Sequence, residues 1–173
     1  PMALTDCLNF GNPERPEVAH QMIEAVRGMS DACRALGIPV ISGNVSLYNE
    51  SEDQAIYPTP SVGMAGVLQD VRAHATAVFQ NEGDAIFLIG ADRPVLPVET
   101  LGASEFLERE HGLVAGQPGL DLDAEVKVQA FVRTVIEGRL TSSAHDVSDG
   151  GLAIALAEMA MAGGIGAEVE WHQ

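Results

Sequence analysis

Two stretches of sequence decide the predicted fold: Asp6-Cys7-Leu8-Asn9-Phe10-Gly11-Asn12-Pro13 and, one helix later, Ser42-Gly43-Asn44-Val45-Ser46. Each follows a short apolar run and then changes to Asn, Gly, Asp and Ser, which leave backbone N–H groups and short polar side chains free for a ligand. Two strand ends joined by one helix meet at the same edge of an α/β sheet, where ligand crevices form. The pattern therefore predicts two strand ends that face one ligand, a nucleotide with its metal.

A helix is predicted between these stretches. Apolar residues recur at spacings of three or four over Pro16–Leu36, Pro16 suits the first helical turn, and Gly37 supplies the stop. The flanking strands are predicted to be short, with Asp6 already in the turn before the helix and with residues 38–41 forming the second strand. The predicted order is strand, helix, strand.

The rest of the chain is predicted to alternate strands and helices. Polar residues and two prolines around residues 51–60 mark a connection, which gives predicted domains 1–56 and 57–173. Beyond it, the pattern predicts strands at 61–68 and 84–89, helices at 121–138 and about 150–162, and the start of a strand at 166–171. The chain opens abruptly within a predicted strand, so we expect it to be a piece of a longer protein.

Composition excludes several classes of function. The chain has 25 acidic and 9 basic residues, a formal net charge of −16, and no run of basic residues, whereas binding to nucleic acid needs clustered Lys and Arg. The longest apolar run, residues 152–157, is far too short to span a bilayer. Cys7 and Cys33 form no metal or disulfide motif, which favours a reduced, cytoplasmic protein.

The polar residues of the first motif admit two interpretations. Asp6, Asn9 and Asn12 suit an Asx turn or a helix cap as well as a ligand site, and their pairing with residues 42–46 favours the ligand site. Oxygen ligands such as those of Asp6 and Asn44 suit Mg²⁺, which keeps several waters and bridges to phosphate.

A second motif, Asp146-Val147-Ser148-Asp149-Gly150-Gly151-Leu152, precedes a predicted apolar helix. Free N–H groups at a helix start could hold a phosphate or carboxylate. The alternative is that Asp149 or Ser148 caps the helix and that the glycines permit a tight turn. We interpret His145 as a hydrogen-bonded structural residue rather than a general base, because the sequence identifies no partner that would orient it.

Two further features have a structural interpretation. Cys7 has no Cys–His constellation and is interpreted as a small packing residue. The stretch Gly102-Ala103-Ser104-Glu105-Phe106-Leu107 lacks the phosphate-loop pattern, and a surface turn that opens a short helix explains it as well.

Five stretches carry a family resemblance: Thr5-Asp6-Cys7-Leu8-Asn9-Phe10-Gly11-Asn12-Pro13, Ser42-Gly43-Asn44-Val45-Ser46-Leu47-Tyr48-Asn49-Glu50, Tyr57-Pro58-Thr59-Pro60, Gly102-Ala103-Ser104-Glu105 and Ser143-Ala144-His145-Asp146-Val147-Ser148-Asp149-Gly150-Gly151-Leu152. Together they closely resemble the small-type phosphoribosylformylglycinamidine synthases of purine biosynthesis. The resemblance covers essentially the whole chain. It implies an α/β (α+β) fold. The chain would be a fragment of the aminoimidazole ribonucleotide synthetase-like fold, with a partial N-terminal sheet domain and a partial C-terminal α/β domain. Both would come from the second half of a duplicated chain.

The resemblance also implies an activity. Such a ligase uses ATP and Mg²⁺ to activate formylglycinamide ribonucleotide as an iminophosphate, which glutamine-derived ammonia displaces, and it works with a glutaminase subunit and a small accessory subunit. It implies that Asp6 and Gly43 contact the nucleotide, that Asn44 is a magnesium ligand, and that Ser46 contacts the substrate. The family's general-base histidine belongs to the first half, so no catalytic residue is assigned here.

Two rival hypotheses remain: another ATP-dependent synthetase of the same superfamily, and a non-catalytic nucleotide-binding or assembly module. Because one wall of an active site cannot position both substrates, the 173-residue chain alone is predicted to be inactive. A truncated sheet leaves an open edge and apolar surface, so it is also predicted to self-associate.

Overall fold

A three-stranded sheet and one long helix form the first of two compact units, Pro1–Gln69. In the computed structural model, which describes residues 1–52, 54–90 and 101–170, the elements of this unit are β1 (Ala3–Asn9), α1 (Pro16–Leu36), β2 (Val40–Ser46), β3 (Glu50–Ser51), β4 (Gln54–Ala55) and β5 (Thr59–Ala65). The sheet order is β2-β1-β5, with β1 parallel to β2 and antiparallel to β5. The short strands β3 and β4 pair as a separate hairpin.

The helix α1 has the predicted bounds. Pro16 occupies the first turn, where its missing N–H is not needed, and Gly37 ends the helix with a left-handed φ of 66°. Its apolar stripe packs on β1, where Leu8, Phe10 and Val18 form the buried core and Phe10 is fully buried. The aromatic ring of Phe10 thus fixes the end of β1 under the start of α1.

The alignment of β1 with β2 contains one irregularity. Leu4 lies opposite Val40 and Thr5 lies opposite Ser42, so Ile41 has no partner. From Thr5 onward the register is regular and ends with Asn9 opposite Ser46.

The second unit, Asp70–Gln173, contains helices α2 (Glu105–His111), α3 (Leu122–Glu137) and α4 (Gly151–Gly163). Asp121 caps α3 by accepting a hydrogen bond from the Ala124 N–H at 3.0 Å. Ala155 and Met159 are the buried side chains of α4. An isolated parallel bridge joins Thr76 to Ser143.

The mixed α/β class and the three long helices are confirmed, whereas the strand ends predicted from composition are wrong. Asp6 and Asn9 lie within β1, and residues 42–46 lie within β2 rather than after it. Polar residues do not end these strands, because hydrogen bonds to the adjacent strands satisfy their backbone N–H and C=O groups.

The predicted strand at 84–89 is wrong, because this segment has no strand conformation and its large apolar side chains are exposed. Residues 166–170 likewise form no strand, and Trp171 lies outside the described residues. A short apolar run lacks the periodicity that would assign it to a strand.

The compact units divide after Gln69, whereas the sequence pattern places the boundary after residue 56. The segment between these positions contains β5, which pairs with β1 along its whole length, from Ala3 opposite Ala65 to Asn9 opposite Thr59. Within the described residues, none of the helices combines the length and apolarity needed to cross a membrane.

Candidate functional site

Strand pairing brings the predicted site residues together. In the β1–β2 ladder Asp6 lies opposite Gly43, Cys7 opposite Asn44, and Asn9 opposite Ser46. The two stretches that the sequence singled out are therefore direct neighbours, as predicted. They meet along the length of the strands rather than in loops beyond the strand ends.

Gly43 makes room for the carboxylate of Asp6. A Cβ atom on residue 43 would lie 2.3 Å from Asp6 Oδ1 and 3.0 Å from its Cγ, closer than real Cβ contacts come. The half-buried Asp6 side chain forms no hydrogen bond or ion pair with the residues that the structure describes. Its oxygens are thus held over the glycine and remain available to a ligand.

The opposite face of the same two strands carries small polar side chains. Ser42 Oγ donates to Thr5 Oγ1 at 2.7 Å, and the Asn44 amide lies 3.8 Å from Cys7 Sγ. The sulfur of half-buried Cys7 also lies 3.6 Å from Asn9 Nδ2. Cys7 therefore sits among amides rather than in an apolar core, and Asn44 is exposed.

The predicted site residues divide between the two faces of the sheet. Successive residues of a strand point to opposite sides, and Leu8 and Val45 line a groove together with residues of α1. Asp6 and Gly43 share that helix-covered face, whereas Asn44 and Ser46 lie on the other. The two residues assigned to the nucleotide are thus separated from those assigned to metal and substrate.

Asn49 was not among the predicted site residues, and it holds Ser46. Its Nδ2 lies 3.0 Å from both the carbonyl oxygen and the hydroxyl of Ser46, and 3.1 Å from the carbonyl oxygen of Phe10. The sequence signal for Asn49 was its place three residues after Ser46, within the stretch Ser42–Glu50 that carries the family resemblance.

The motif at residues 146–152 forms a tight turn into α4. Gly150 and Gly151 have left-handed φ values of 75° and 72°, and the helix has no side-chain cap. The prediction that the glycines permit a turn is confirmed, but Ser148 and Asp149 do not cap the helix. The Ser148 hydroxyl instead donates to Asp146 and, with the Asp146 backbone N–H and nearby His145, lowers the pKa of that carboxyl.

His145 has acidic neighbours on two sides, which the sequence did not reveal. Its Nδ1 lies 2.7 Å from the carbonyl oxygen of Asp146 and its Nε2 lies 3.4 Å from Glu158 Oε2 on α4. Its side chain is 16% exposed. The interpretation of His145 as a hydrogen-bonded residue is confirmed, and its partners tie the turn to α4.

The stretch at residues 102–107 is a helix start. Ala103 has a left-handed φ of 57°, and Ser104 caps α2 by accepting a hydrogen bond from the Leu107 N–H at 3.4 Å. The turn-and-helix interpretation is therefore confirmed.

Family models match both units. Residues 1–68 match the N-terminal domain of AIR synthase related proteins, and residues 81–173 match the C-terminal domain of the same family. The chain belongs to the AIR synthase related family. Both family domains are present in sequence order, and the limits of the N-terminal match agree with a unit that includes β5.

Curated relatives in this family are much longer. The chain is 57% identical over 171 residues to phosphoribosylformylglycinamidine synthase subunit PurL of Moorella thermoacetica, which covers 98% of this chain and 23% of that protein. It is 48% identical over 177 residues to the same subunit of Zymomonas mobilis, covering 99% of this chain and 24% of that protein. The chain thus spans about a quarter of the length of these relatives.

Two solved structures are similar to a part of the chain. "T. maritima PurL complexed with AMPPCP" and "T. maritima PurL complexed with ATP" each have 39% sequence identity and a TM-score of 0.33. Each match covers 36% of this chain and 10% of the other.

Proposed function

We propose that the chain is part of an ATP-dependent amidoligase, a phosphoribosylformylglycinamidine synthase of de novo purine biosynthesis. Such a ligase converts formylglycinamide ribonucleotide to formylglycinamidine ribonucleotide through an iminophosphate and glutamine-derived ammonia. The observation that carries the proposal is the 57% identity to a synthase subunit of that name, extending over 98% of this chain. The glutaminase subunit and the small accessory subunit are its proposed partners, and the cytoplasm is its proposed location.

We assign the nucleotide to the helix-covered face of the sheet. Asp6 and Gly43 are the proposed nucleotide contacts, because the Asp6 carboxylate has no partner among the described residues and lies over a residue that has no side chain. A carboxylate accepts hydrogen bonds, so Asp6 suits the N–H and O–H donors of a nucleotide better than its phosphates.

Metal and substrate are assigned to the opposite face. Asn44 is the proposed magnesium ligand, and its exposed amide oxygen is of the right ligand type. In the described parts of the chain, no three His, Cys, Asp or Glu side chains form a metal cluster. Asn44 therefore fits as one ligand of a Mg²⁺ ion whose other ligands would be waters and oxygens supplied from outside this chain.

The proposed substrate contact is Ser46. Its hydroxyl lies at the end of β2, is half-buried and accepts a hydrogen bond from Asn49 Nδ2 at 3.0 Å. No residue of this chain is proposed to act as the catalytic base, and the 173-residue chain by itself is proposed to be inactive. Formation of product by the purified chain with ATP, Mg²⁺ and ammonia would contradict this.

The isolated chain is also proposed to self-associate. Leu8, Val45 and four neighbouring apolar residues line an open groove of about 470 Å³ between α1 and the sheet. Within the described residues, β2 and β5 are edge strands with no further neighbour. Free strand edges and apolar surface favour association, whereas sedimentation of the chain as a clean monomer would contradict it.

The decisive experiment uses the longer protein that contains this sequence. Purified with its glutaminase partner, it should convert formylglycinamide ribonucleotide in an ATP-dependent reaction, and also with ammonia in place of glutamine. Activity only towards the cyclised successor of formylglycinamide ribonucleotide, or only towards selenide, would favour another synthetase of the superfamily.

The rival hypothesis of a non-catalytic assembly module is tested by nucleotide binding. Calorimetry of the longer protein should detect binding of magnesium-ATP that the Asp6→Asn substitution weakens. No nucleotide binding at this site, together with tight binding of the glutaminase subunit, would favour an assembly role.

A further inference from the structure

The ends of β1 and β2 are joined beyond the regular ladder by one side chain. The Phe10 N–H donates to the carbonyl of Ser46 at 3.0 Å, and the Asn49 N–H donates to the carbonyl of Phe10 at 3.1 Å. The Asn49 side-chain amide then lies within 3.1 Å of both of these carbonyl oxygens. A single amide group therefore ties the two strand ends together.

This amide also contacts the hydroxyl of Ser46. Ser46 Oγ lies 3.0 Å from Asn49 Nδ2 and 3.2 Å from Asn49 Oδ1. An amide offers two N–H donors and one carbonyl acceptor, so the two donors are shared among three oxygens while Oδ1 can accept the Ser46 proton. The direction of the hydroxyl group is thus set by Asn49.

The surroundings make Asn49 rigid. Its partner Phe10 is fully buried, and the Ile56 N–H donates to the Asn49 carbonyl at 3.1 Å. Gly11, the next residue after Phe10, packs so closely on the β3–β4 hairpin that a Cβ there would lie 2.6 Å from Ala55 Cβ. Rigid support of this kind is what a group that must meet a ligand at a fixed angle needs.

We propose that Asn49 is a positioning residue that orients the Ser46 hydroxyl towards the formylglycinamide ribonucleotide substrate. The inference rests on the proposed function, in which Ser46 contacts that substrate. Asn49 itself need not touch any ligand, because it acts through Ser46. It should therefore affect the substrate side of the sheet and leave the nucleotide side, with Asp6 and Gly43, almost unchanged.

Steady-state kinetics of the longer protein test this assignment. The Asn49→Ala substitution should raise the KM for formylglycinamide ribonucleotide about tenfold, the value of one hydrogen bond at the upper end of its net range, while the KM for ATP stays within about twofold. Asn81→Ala is the matched control, because the exposed Asn81 Nδ2 donates only a local hydrogen bond, to Asp84 Oδ2 at 3.0 Å. It should change neither constant.

A double-mutant cycle separates orientation of Ser46 from a general structural effect. If Asn49 acts through the hydroxyl, adding Asn49→Ala to Ser46→Ala should raise the substrate KM by less than about threefold further, because residues in one hydrogen-bonded network are not additive. A full tenfold further increase, an equal rise of both KM values, or an unchanged substrate KM would overturn the proposal.

Two provisions keep the outcomes distinct. If Asn49→Ala does not fold, Asn49→Asp keeps the size and the acceptor but lacks both N–H donors, and it should give the same split between the two KM values. If the unsubstituted protein does not convert formylglycinamide ribonucleotide, the proposed function fails, whereas normal activity with an unaffected Asn49→Ala variant refutes the role of Asn49 alone.

Discussion

The paired stretches of β1 and β2 and the turn before α4 are built from the same residue types but positioned in different ways. In the first, Asp6 and Gly43 are brought together by a ladder between residues far apart in sequence. In the second, Asp146 and Gly150 are placed by a local turn in which glycine φ values are left-handed. Asp, Ser and Gly therefore mark a turn in one place and a strand in the other.

The two regions also differ in whether their carboxylates already have hydrogen-bond partners. The Asp6 carboxylate has no partner among the described residues, whereas the Asp146 carboxylate accepts a hydrogen bond from Ser148. A strand leaves its side chains free on either face, while a turn uses short polar side chains to satisfy itself. Binding is thus more compatible with the first region and structural support with the second.

The largest expected effect comes from breaking the turn at Gly150. A Cβ there would lie 2.4 Å from Ile154 Cγ1, and the φ of 75° disfavours any side chain. Gly150→Ala should lower the free energy of unfolding by about 2–4 kcal/mol, from left-handed strain together with overpacking. Denaturant unfolding measures this.

The neighbouring glycine provides the control for that experiment. Gly151 has a φ of 72°, but no atom lies within 4 Å of the position that an added Cβ would take. Gly151→Ala should therefore cost only the conformational part, about 1–2 kcal/mol. Equal losses for the two variants would show that contact with Ile154 contributes nothing.

Substitution of Gly43 should act on binding more than on stability. An alanine there forces the Asp6 carboxylate to turn away, because its Cβ would lie 2.3 Å from Oδ1. Gly43→Ala in the longer protein should raise the KM for ATP about tenfold, as expected when a charged hydrogen-bonding group is displaced. The unfolding midpoint should change little, since a side-chain end can move aside.

Gly63→Ala is a suitable comparison on the other neighbour of β1. Gly63 lies opposite Thr5 rather than Asp6, and a Cβ there would meet Thr5 Cγ2 at 3.2 Å. The substitution should leave the KM for ATP unchanged. A rise as large as that for Gly43→Ala would indicate a general distortion of the sheet.

A smaller effect is expected from the hydroxyl pair that joins the two strands. Ser42 Oγ donates to Thr5 Oγ1 at 2.7 Å on an exposed face. Ser42→Ala should lower the free energy of unfolding by about 0.5–1 kcal/mol, the contribution of a neutral hydrogen bond. In the Thr5→Val background the same substitution should cost nothing further if this contact is the cause.

The smallest effect is a pH dependence in the turn. The Ser148 hydroxyl lowers the pKa of Asp146 in the folded chain, so the ionised carboxylate stabilises the fold at pH values above its unfolded pKa. This contribution is lost as the pH falls through the lowered folded pKa. Thermal unfolding of the wild type and of the Asp146→Asn variant should differ slightly at neutral pH and converge in acid.

Ser148→Ala tests the cause of that dependence. Without the hydroxyl donor, Asp146→Asn should change the unfolding temperature at neutral pH much less than it does in the wild type, because Ser148 is the first contributor to the lowered pKa. A difference that persists undiminished in the Ser148→Ala background would assign the effect to the Asp146 backbone N–H and His145 instead.

Helices were predictable from the sequence because their signals are local. The apolar spacing of α1, its Pro16 start and its Gly37 stop all lie within one stretch, and the bounds agree with the structure. The motif residues were also found, since a change from apolar to polar residues is visible in sequence. Their adjacency followed from the strand-helix-strand order.

Features set by distant pairing could not be predicted in the same way. The extension of β2 through Ser46 depends on its pairing with β1. The division of the site residues between the two faces of the sheet follows from the register of that pairing, which the sequence does not state. The hydrogen bond of Asn49 to the Phe10 carbonyl depends on a residue that lies 39 positions earlier. The exposed segment 84–89 shows the converse, since apolar residues alone did not make a strand.

The unpaired Ile41 has a consequence for sequence comparison. Because Val40 and Ser42 already lie opposite consecutive residues of β1, Leu4 and Thr5, removal of Ile41 would leave an uninterrupted ladder with Gly43 still opposite Asp6. A one-residue gap at this point in an alignment of relatives would therefore be a neutral change of length. The same gap three residues later would move the remaining β2 residues, Val45 and Ser46, each to the opposite face of the sheet.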